Sequence, residues 1–239
     1  MLNIIIPMAG RGSRLNMYEK PKVLVEINGK PMIQHAVECI TPSCEHRFIF
    51  IVRNDMLDKY NLNNILESIA PGCILVTTPE VTQGQACSIL LAKGFIDNDE
   101  PLIQSNSDHF LDFDINTFID FAKDDSDGTI LTFPDTDPKY SYSRLNDDNW
   151  IVETAEKKVI SNHVNAIIYY KYGKDCVRAI EKTIDKDLRV NGEFYVNPTI
   201  NELIAEGKKF KIFEIPKNCL HTFGDSKGVQ AFKNSGVNK

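Results

Sequence analysis

The sequence has no surplus of positive charge: 27 Lys and Arg stand against 33 Asp and Glu, for a net charge of −6. A surface built for nucleic acid or an anionic membrane is therefore excluded as the main partner, and any basic groups that matter must act locally. Long apolar runs are also missing. The opening MLNIIIPM has no basic residue before it and ends at Pro7 and Gly10, so it reads neither as a secretion signal nor as a membrane span, and a cytoplasmic location is expected. The six cysteines (Cys39, Cys44, Cys73, Cys87, Cys176, Cys219) contain no Cys-x-x-Cys pair, and the five histidines are equally scattered. Neither a zinc centre nor a disulfide framework has that spacing, which leaves reduced, packed thiols. With 13 glycines and 11 prolines the chain is too poor in both for a collagen-like or low-complexity protein, and 42% apolar with 25% charged residues is ordinary for a globular one.

What is present is an alternation. Short apolar runs at 4–8, 48–52, 74–78, 102–105 and 129–133 suit buried strands. Between them, Ile33/Val37/Ile40, Leu62/Ile65/Leu66/Ile69 and Ile115/Phe118/Ile119/Ala122 recur at helical spacing. Strand, helix, strand, helix predicts an α/β fold with a mostly parallel, Rossmann-like sheet. After about residue 135 the segments 141–145, 150–154 and 164–171 read as strands without intervening helices, so this half is expected to be mixed or antiparallel. Helical periods return at Val177/Ile180/Ile184 and Ile200/Leu203/Ile204, before a strand at 210–215 and a short last helix. No Gly/Ser linker or repeat divides the 239 residues, which predicts one domain with two lobes, 1–125 and 126–239. Ligands of open α/β sheets bind beyond the carboxyl ends of the strands, which directs attention to the loops after Met8, Thr78 and Ser105.

The first of those loops reads Ala9-Gly10-Arg11-Gly12-Ser13-Arg14-Leu15, followed by Pro21-Lys22. Glycines let backbone N–H groups approach a phosphate, but a dinucleotide fingerprint would need a third glycine where Leu15 stands, and the nucleotide-hydrolase loop is absent. Two fixed cations, Arg14 and Lys22, added to such a turn suit a triphosphate; the plainer reading is a tight turn with solvated basic residues. The strings IIPMAGRGSRL and PKVLVEINGKPMI resemble the start of the nucleotidyltransferases that activate sugar 1-phosphates and similar small phosphates, and Gly10, Gly12, Ser13, Arg14, Pro21 and Lys22 match their signature.

That resemblance extends along nearly the whole chain and implies roles. Ala9, Gly10, Gly12 and Ser13 would surround the nucleotide, Arg14 and Lys22 would act on its phosphates, and Gln83 and Gly84 in EVTQGQA would touch the base, although a helix cap is the plainer reading of the last two. Asp108, at the end of the strand starting at Leu102, would bind both the nucleotide and a divalent ion, Mg²⁺ with Mn²⁺ as the alternative. Glu156 and Lys157 would hold the acceptor and its phosphate, with Asn165 and Glu193 beside them; a solvated charge run on an edge strand is the alternative. The related enzymes often carry a second metal-binding Asp two residues before a Gly-Thr pair. Here Thr222 occupies that position before Gly224, and Asp225 is the shifted candidate ligand.

The implied reaction joins a nucleoside triphosphate, with CTP favoured, to a sugar 1-phosphate or another small phosphate such as choline phosphate, for surface polysaccharide assembly. Two rivals are a metal-dependent glycosyltransferase using Asp112 and Asp114, and a nucleotide-sensing module without turnover. Asp112-Phe113-Asp114 borders the helical stripe at Ile115 and reads more simply as a helix cap.

Overall fold

A computed structural model describes residues 1–10 and 20–236. The first half runs β1 (Leu2–Pro7), a hairpin of β2 (Glu26–Ile27) and β3 (Lys30–Pro31), α1 (Met32–Glu38), β4 (His46–Arg53), α2 (Asn54–Tyr60), α3 (Leu62–Ile69), β5 (Ile74–Thr78), α4 (Gln85–Leu90), α5 (Lys93–Ile96), β6 (Leu102–Gln104), β7 (His109–Leu111) and α6 (Ile115–Ala122). The second half adds β8 (Gly128–Pro134), β9 (Ser141–Leu145), β10 (Ile151–Glu156), β11 (His163–Tyr170), α7 (Gly173–Asp185), α8 (Ile200–Ala205), β12 (Phe210–Glu214), β13 (Leu220–Thr222) and α9 (Ser226–Ser235).

The main sheet joins β5, β4, β1 and β6 in parallel, and β11 then enters antiparallel beside β6. β8 pairs with the other edge of β11 and β12 with β8, while β9 and β10 extend the sheet from the first residues of β11. The predicted change from parallel to mixed pairing is thus observed, and its cause is local: β8 to β11 follow one another without a helix to carry a parallel crossover. β1 is central and covered on both faces. Ile4 and Ile6 pack with Phe48, Phe50 and Val52 on one side, whereas Ile5 packs with Ile49, Ile51 and Ala86 on the other, the alternation a strand's period of two requires.

Because β4 and β5 lie to one side of β1 and β6 to the other, the strand order reverses between β1 and β6. A crevice opens there beyond the carboxyl ends, between Met8 and Ser105, as expected at a topological switch point. A third apolar cluster sits at that end: Val25, Ile27 and Met32 meet Phe110, Phe223, Val229 and Phe232. Buried His35 stands edge-on to Phe110, Phe223 and Phe232, and its Nε2 donates to the Ile27 carbonyl at 2.8 Å. The two-stranded ribbon of β7 and β13 is the backbone of this cluster. β13 and α9 thus pack on elements that precede residue 125.

Candidate active site

The crevice is a cleft of about 760 Å³. Met8, Ala9 and Gly10 line its floor after β1, Lys22 and Val23 one flank, and Gly84, Gln85 and Ser88 another, with Ser107 and Glu193 at its edge. Gly12, Ser13 and Arg14 lie outside the described residues. Arg53, at the end of β4, lines the cleft too and donates from Nη1 to the Gly10 carbonyl at 3.3 Å, while its Nε and Nη2 hold Asp55 at 2.8 and 2.9 Å. Sequence reading missed Arg53; its only signal was a basic residue at a strand's carboxyl end.

Lys22 and Asp108, separated by 86 positions, come together: Lys22 Nζ donates to Asp108 Oδ2 at 2.5 Å, and their side chains are only 15% and 22% exposed. A short 3-10 turn at Lys22–Leu24 fixes the lysine, entered from Pro21 in an extended conformation. Asp108 is fixed from the far end of the chain, because Phe223 N–H donates to its carbonyl at 2.7 Å. His109 Nε2 lies 3.8 Å from Asp108 Oδ1, and burial pushes its pKa down, against the pull of Asp108, so the ring is neutral near pH 7.

Gln83, expected beside the base, makes a side-chain contact across the chain. Its Oε1 accepts from Arg189 Nη2 at 2.7 Å, outside the lining of the cleft, whereas Gly84 and Gln85 are in that lining. Gln85 is further oriented by donating to Asn106 Oδ1 at 2.7 Å. Gly84 is needed for two reasons: its φ is +140°, and a Cβ would stand 2.4 Å from the Phe194 carbonyl oxygen. Gly84→Ala is expected to cost about 1 to 3 kcal/mol of unfolding free energy from backbone strain alone. Urea unfolding measures it, and an unchanged midpoint would mean that the Phe194 backbone yields freely.

Glu156, at the end of β10, accepts a short hydrogen bond from the Ser141 hydroxyl. Burial raises its pKa; the Ser141 bond and the Lys157 charge oppose that, and the Glu193 charge adds to it. Lys157 holds a left-handed φ of +54° and donates to the Tyr195 hydroxyl, with its ammonium 4.5 Å from the ring centre. Asn165 is buried and spent on both sides: it accepts from Ser143 Oγ at 2.7 Å and donates to Asn197 Oδ1 at 2.9 Å.

Asp225 does not turn to Asp108. Its carboxylate caps α9, accepting from Gly228 N–H at 2.9 Å, which is what an Asp ahead of a helix does by default. Among the described residues, no three His, Cys, Asp or Glu side chains gather as a metal cluster. One strand-end carboxylate, Asp108, fits Mg²⁺, which takes one or two carboxylates and completes its shell with phosphate oxygens and water. Asp112 and Asp114 line a separate hollow with Glu38, Cys39 and Phe110, and Asp114 caps α6 by accepting from Asn116 N–H at 2.9 Å. This geometry disfavours the glycosyltransferase reading.

A parallel sheet reversing beside β1, with antiparallel strands completing one side, is the α/β architecture of nucleotide-diphospho-sugar transferases. Residues 4–186 match the MobA-like NTP transferase domain, and the chain belongs to that nucleotidyltransferase family. It is similar to the bifunctional protein GlmU of Methanocaldococcus jannaschii, 27% identical over 213 residues, covering 87% of this chain and 48% of that protein. The GlmU of Thermodesulfovibrio yellowstonii is 28% identical over 227 residues, 90% of this chain and 47% of the other. The chain spans about half the length of the curated relatives it matches. Among solved structures, a nucleoside-diphosphate-sugar pyrophosphorylase from Vibrio cholerae superposes with a TM-score of 0.84 at 24% identity, over 96% of this chain and 99% of that one. The inositol-1-phosphate CTP transferase from T. maritima gives 0.73 at 16% identity, over 99% and 98%. No helix among the described residues is long and apolar enough to cross a membrane.

Proposed function

We propose that this chain is a nucleotidyltransferase that joins a nucleoside triphosphate, CTP being favoured, to a sugar 1-phosphate or a similar small phosphorylated metabolite. The observation that carries this reading is the meeting of Lys22, which lines the cleft, with Asp108 next to the lining residue Ser107, while Gly10 after β1, Gly84 at α4's start and Glu193 line the same cleft. Residues 1–125 supply most of the nucleotide site and 126–239 the acceptor site, with Asp108 seated by the C-terminal ribbon.

An oxygen of the acceptor phosphate attacks the α-phosphorus of the triphosphate. A new P–O bond forms as the α–β P–O bond breaks, and pyrophosphate leaves. A phosphate monoester has a second pKa of about 6, so the acceptor arrives mostly dianionic and no protein base has to be found. The difficulty is bringing two polyanions together, and the side chains meet it by charge and placement. Lys157 takes the acceptor phosphate; Glu156, Glu193 and Asn165 stand by the rest of the acceptor. Lys22 and Arg14 act on the triphosphate, Ala9, Gly10, Gly12 and Ser13 surround it, and Gly84 faces the base, with Gln83 holding that turn. Asp108 would hold Mg²⁺, or Mn²⁺ in its place, which when bound neutralises phosphate charge; Asp225 would join it only by giving up its cap. Surface polysaccharide assembly is the destination we infer for the product, from the resemblance alone.

The test is to incubate the protein with each of CTP, UTP, GTP, ATP and dTTP, Mg²⁺ and a panel of phosphorylated acceptors, and to read pyrophosphate. Release dependent on one nucleotide and one acceptor is expected. Nucleotide binding without release across the panel would instead support a sensing module, and transfer from a nucleotide sugar would support a glycosyltransferase.

A further inference from the structure

The loop between α7 and α8 makes contacts that the proposed roles do not use. Val190 and Glu193 exchange both backbone hydrogen bonds at 3.0 Å around Asn191 and Gly192, whose φ values are +50° and +82°, the pattern of a tight hairpin turn. This loop is attached to the base-side turn by its backbone, Phe194 N–H to the Gln83 carbonyl at 3.0 Å and Ala86 N–H to the Phe194 carbonyl at 3.1 Å. Arg189 supplies the side-chain part. Its Nη2 donates to Gln83 Oε1 at 2.7 Å, Nη1 to the Gly192 carbonyl at 3.2 Å and Nε to Asp187 Oδ1 at 2.6 Å, while the guanidinium lies 4.0 Å over the Phe194 ring. Only a planar fork can make all four contacts at once. The loop then continues into the cleft at Glu193 and to Lys157 through Tyr195.

We propose that Arg189 is a positioning residue that staples this loop to the Gln83-Gly84 turn, so that the nucleotide and acceptor sites are set by one segment. The inference rests on the cleft being the nucleotide site. Arg189 touches neither reactant; it acts through Gln83 and Phe194. Because its side chain is one-third exposed and outside the core, a merely decorative ion pair with Asp187 is the competing account.

The experiment compares wild type, Arg189→Met, Arg189→Lys, Gln83→Leu and the Met/Leu double variant by two measurements: hydrogen exchange of the Ala86 and Phe194 amides without ligand, and calorimetric binding of Mg²⁺ with each of the five triphosphates. Arg189→Met is expected to speed exchange at both amides and to weaken the tightest triphosphate about ten-fold, the size of one charge-assisted hydrogen bond. Gln83→Leu should do the same and the double variant no more than either single, since both remove one link. Arg189→Lys, with charge but no fork, should recover only part. Unchanged affinity despite faster exchange, additive losses in the double variant, or full recovery by lysine would each overturn the staple. Should Arg189→Met fail to fold, Gln83→Leu alone decides by the same two readings. If wild type binds none of the five triphosphates, the nucleotide reading of the cleft falls, and the exchange data then judge only whether the link exists.

Discussion

Asp108→Asn is expected to lower pyrophosphate release by about 10²- to 10³-fold at saturating nucleotide, with added Mg²⁺ recovering only part. The amide keeps the shape of the side chain and can still accept from Lys22, but it gives up the charge on which a divalent ion depends. Its effect on folding should be modest, on the order of 1 kcal/mol, because the amide can still accept from Lys22 and leaves no unpaired buried carboxylate. Steady-state turnover against Mg²⁺ concentration, with urea unfolding alongside, separates the two. Asp225→Asn serves as the comparison: an Asn caps a helix about as well as Asp, so a matching loss of turnover would mean that the Asp225 carboxylate leaves α9 to reach the ion. Near-normal activity of Asp108→Asn with unchanged stability would remove the metal assignment.

Lys157→Ala should cost on the order of 2 to 3 kcal/mol in acceptor-dependent turnover while leaving nucleotide affinity nearly intact. The change removes the ammonium that Tyr195 orients, and alanine at a φ of +54° adds strain of its own. Lys157→Asn separates the two effects, since asparagine tolerates the left-handed region and brings no charge. A shared loss in both variants, confined to acceptor kinetics, is expected. Weakened triphosphate binding in calorimetry would show that Lys157 belongs to the nucleotide instead.

The strands of the main sheet were legible because buried strands need unbroken apolar runs, and Ile4 to Ile6, Phe48 to Val52 and Val164 to Tyr170 supply them. The ribbon of β7 and β13 was not, since three residues are too few to show a period, whereas the start of α4 was legible as the cap reading of Gln83 and Gly84, and Gly84 is its N-cap. Local strings singled out Gly10 and Lys22, which line the cleft, and Asp108, which Lys22 meets. The Arg189 contact of Gln83 was not legible, because the two lie 106 positions apart and a side chain's partner at that distance leaves no trace in local pattern. Asp225 shows the same limit from the other direction. It is a candidate ligand only because Thr222 stands at the expected Asp, and its place three residues before Gly228 makes it the cap of α9.

The seating of Asp108 by Phe223 has a consequence for how the protein comes into being on the ribosome. The carboxylate leaves the peptidyl transferase centre early, but the strand and aromatic rings that orient it follow roughly a hundred residues later, about ten seconds of elongation at typical rates. The parallel strands can pair in that interval, so a nascent chain can own a sheet before it owns a functioning crevice.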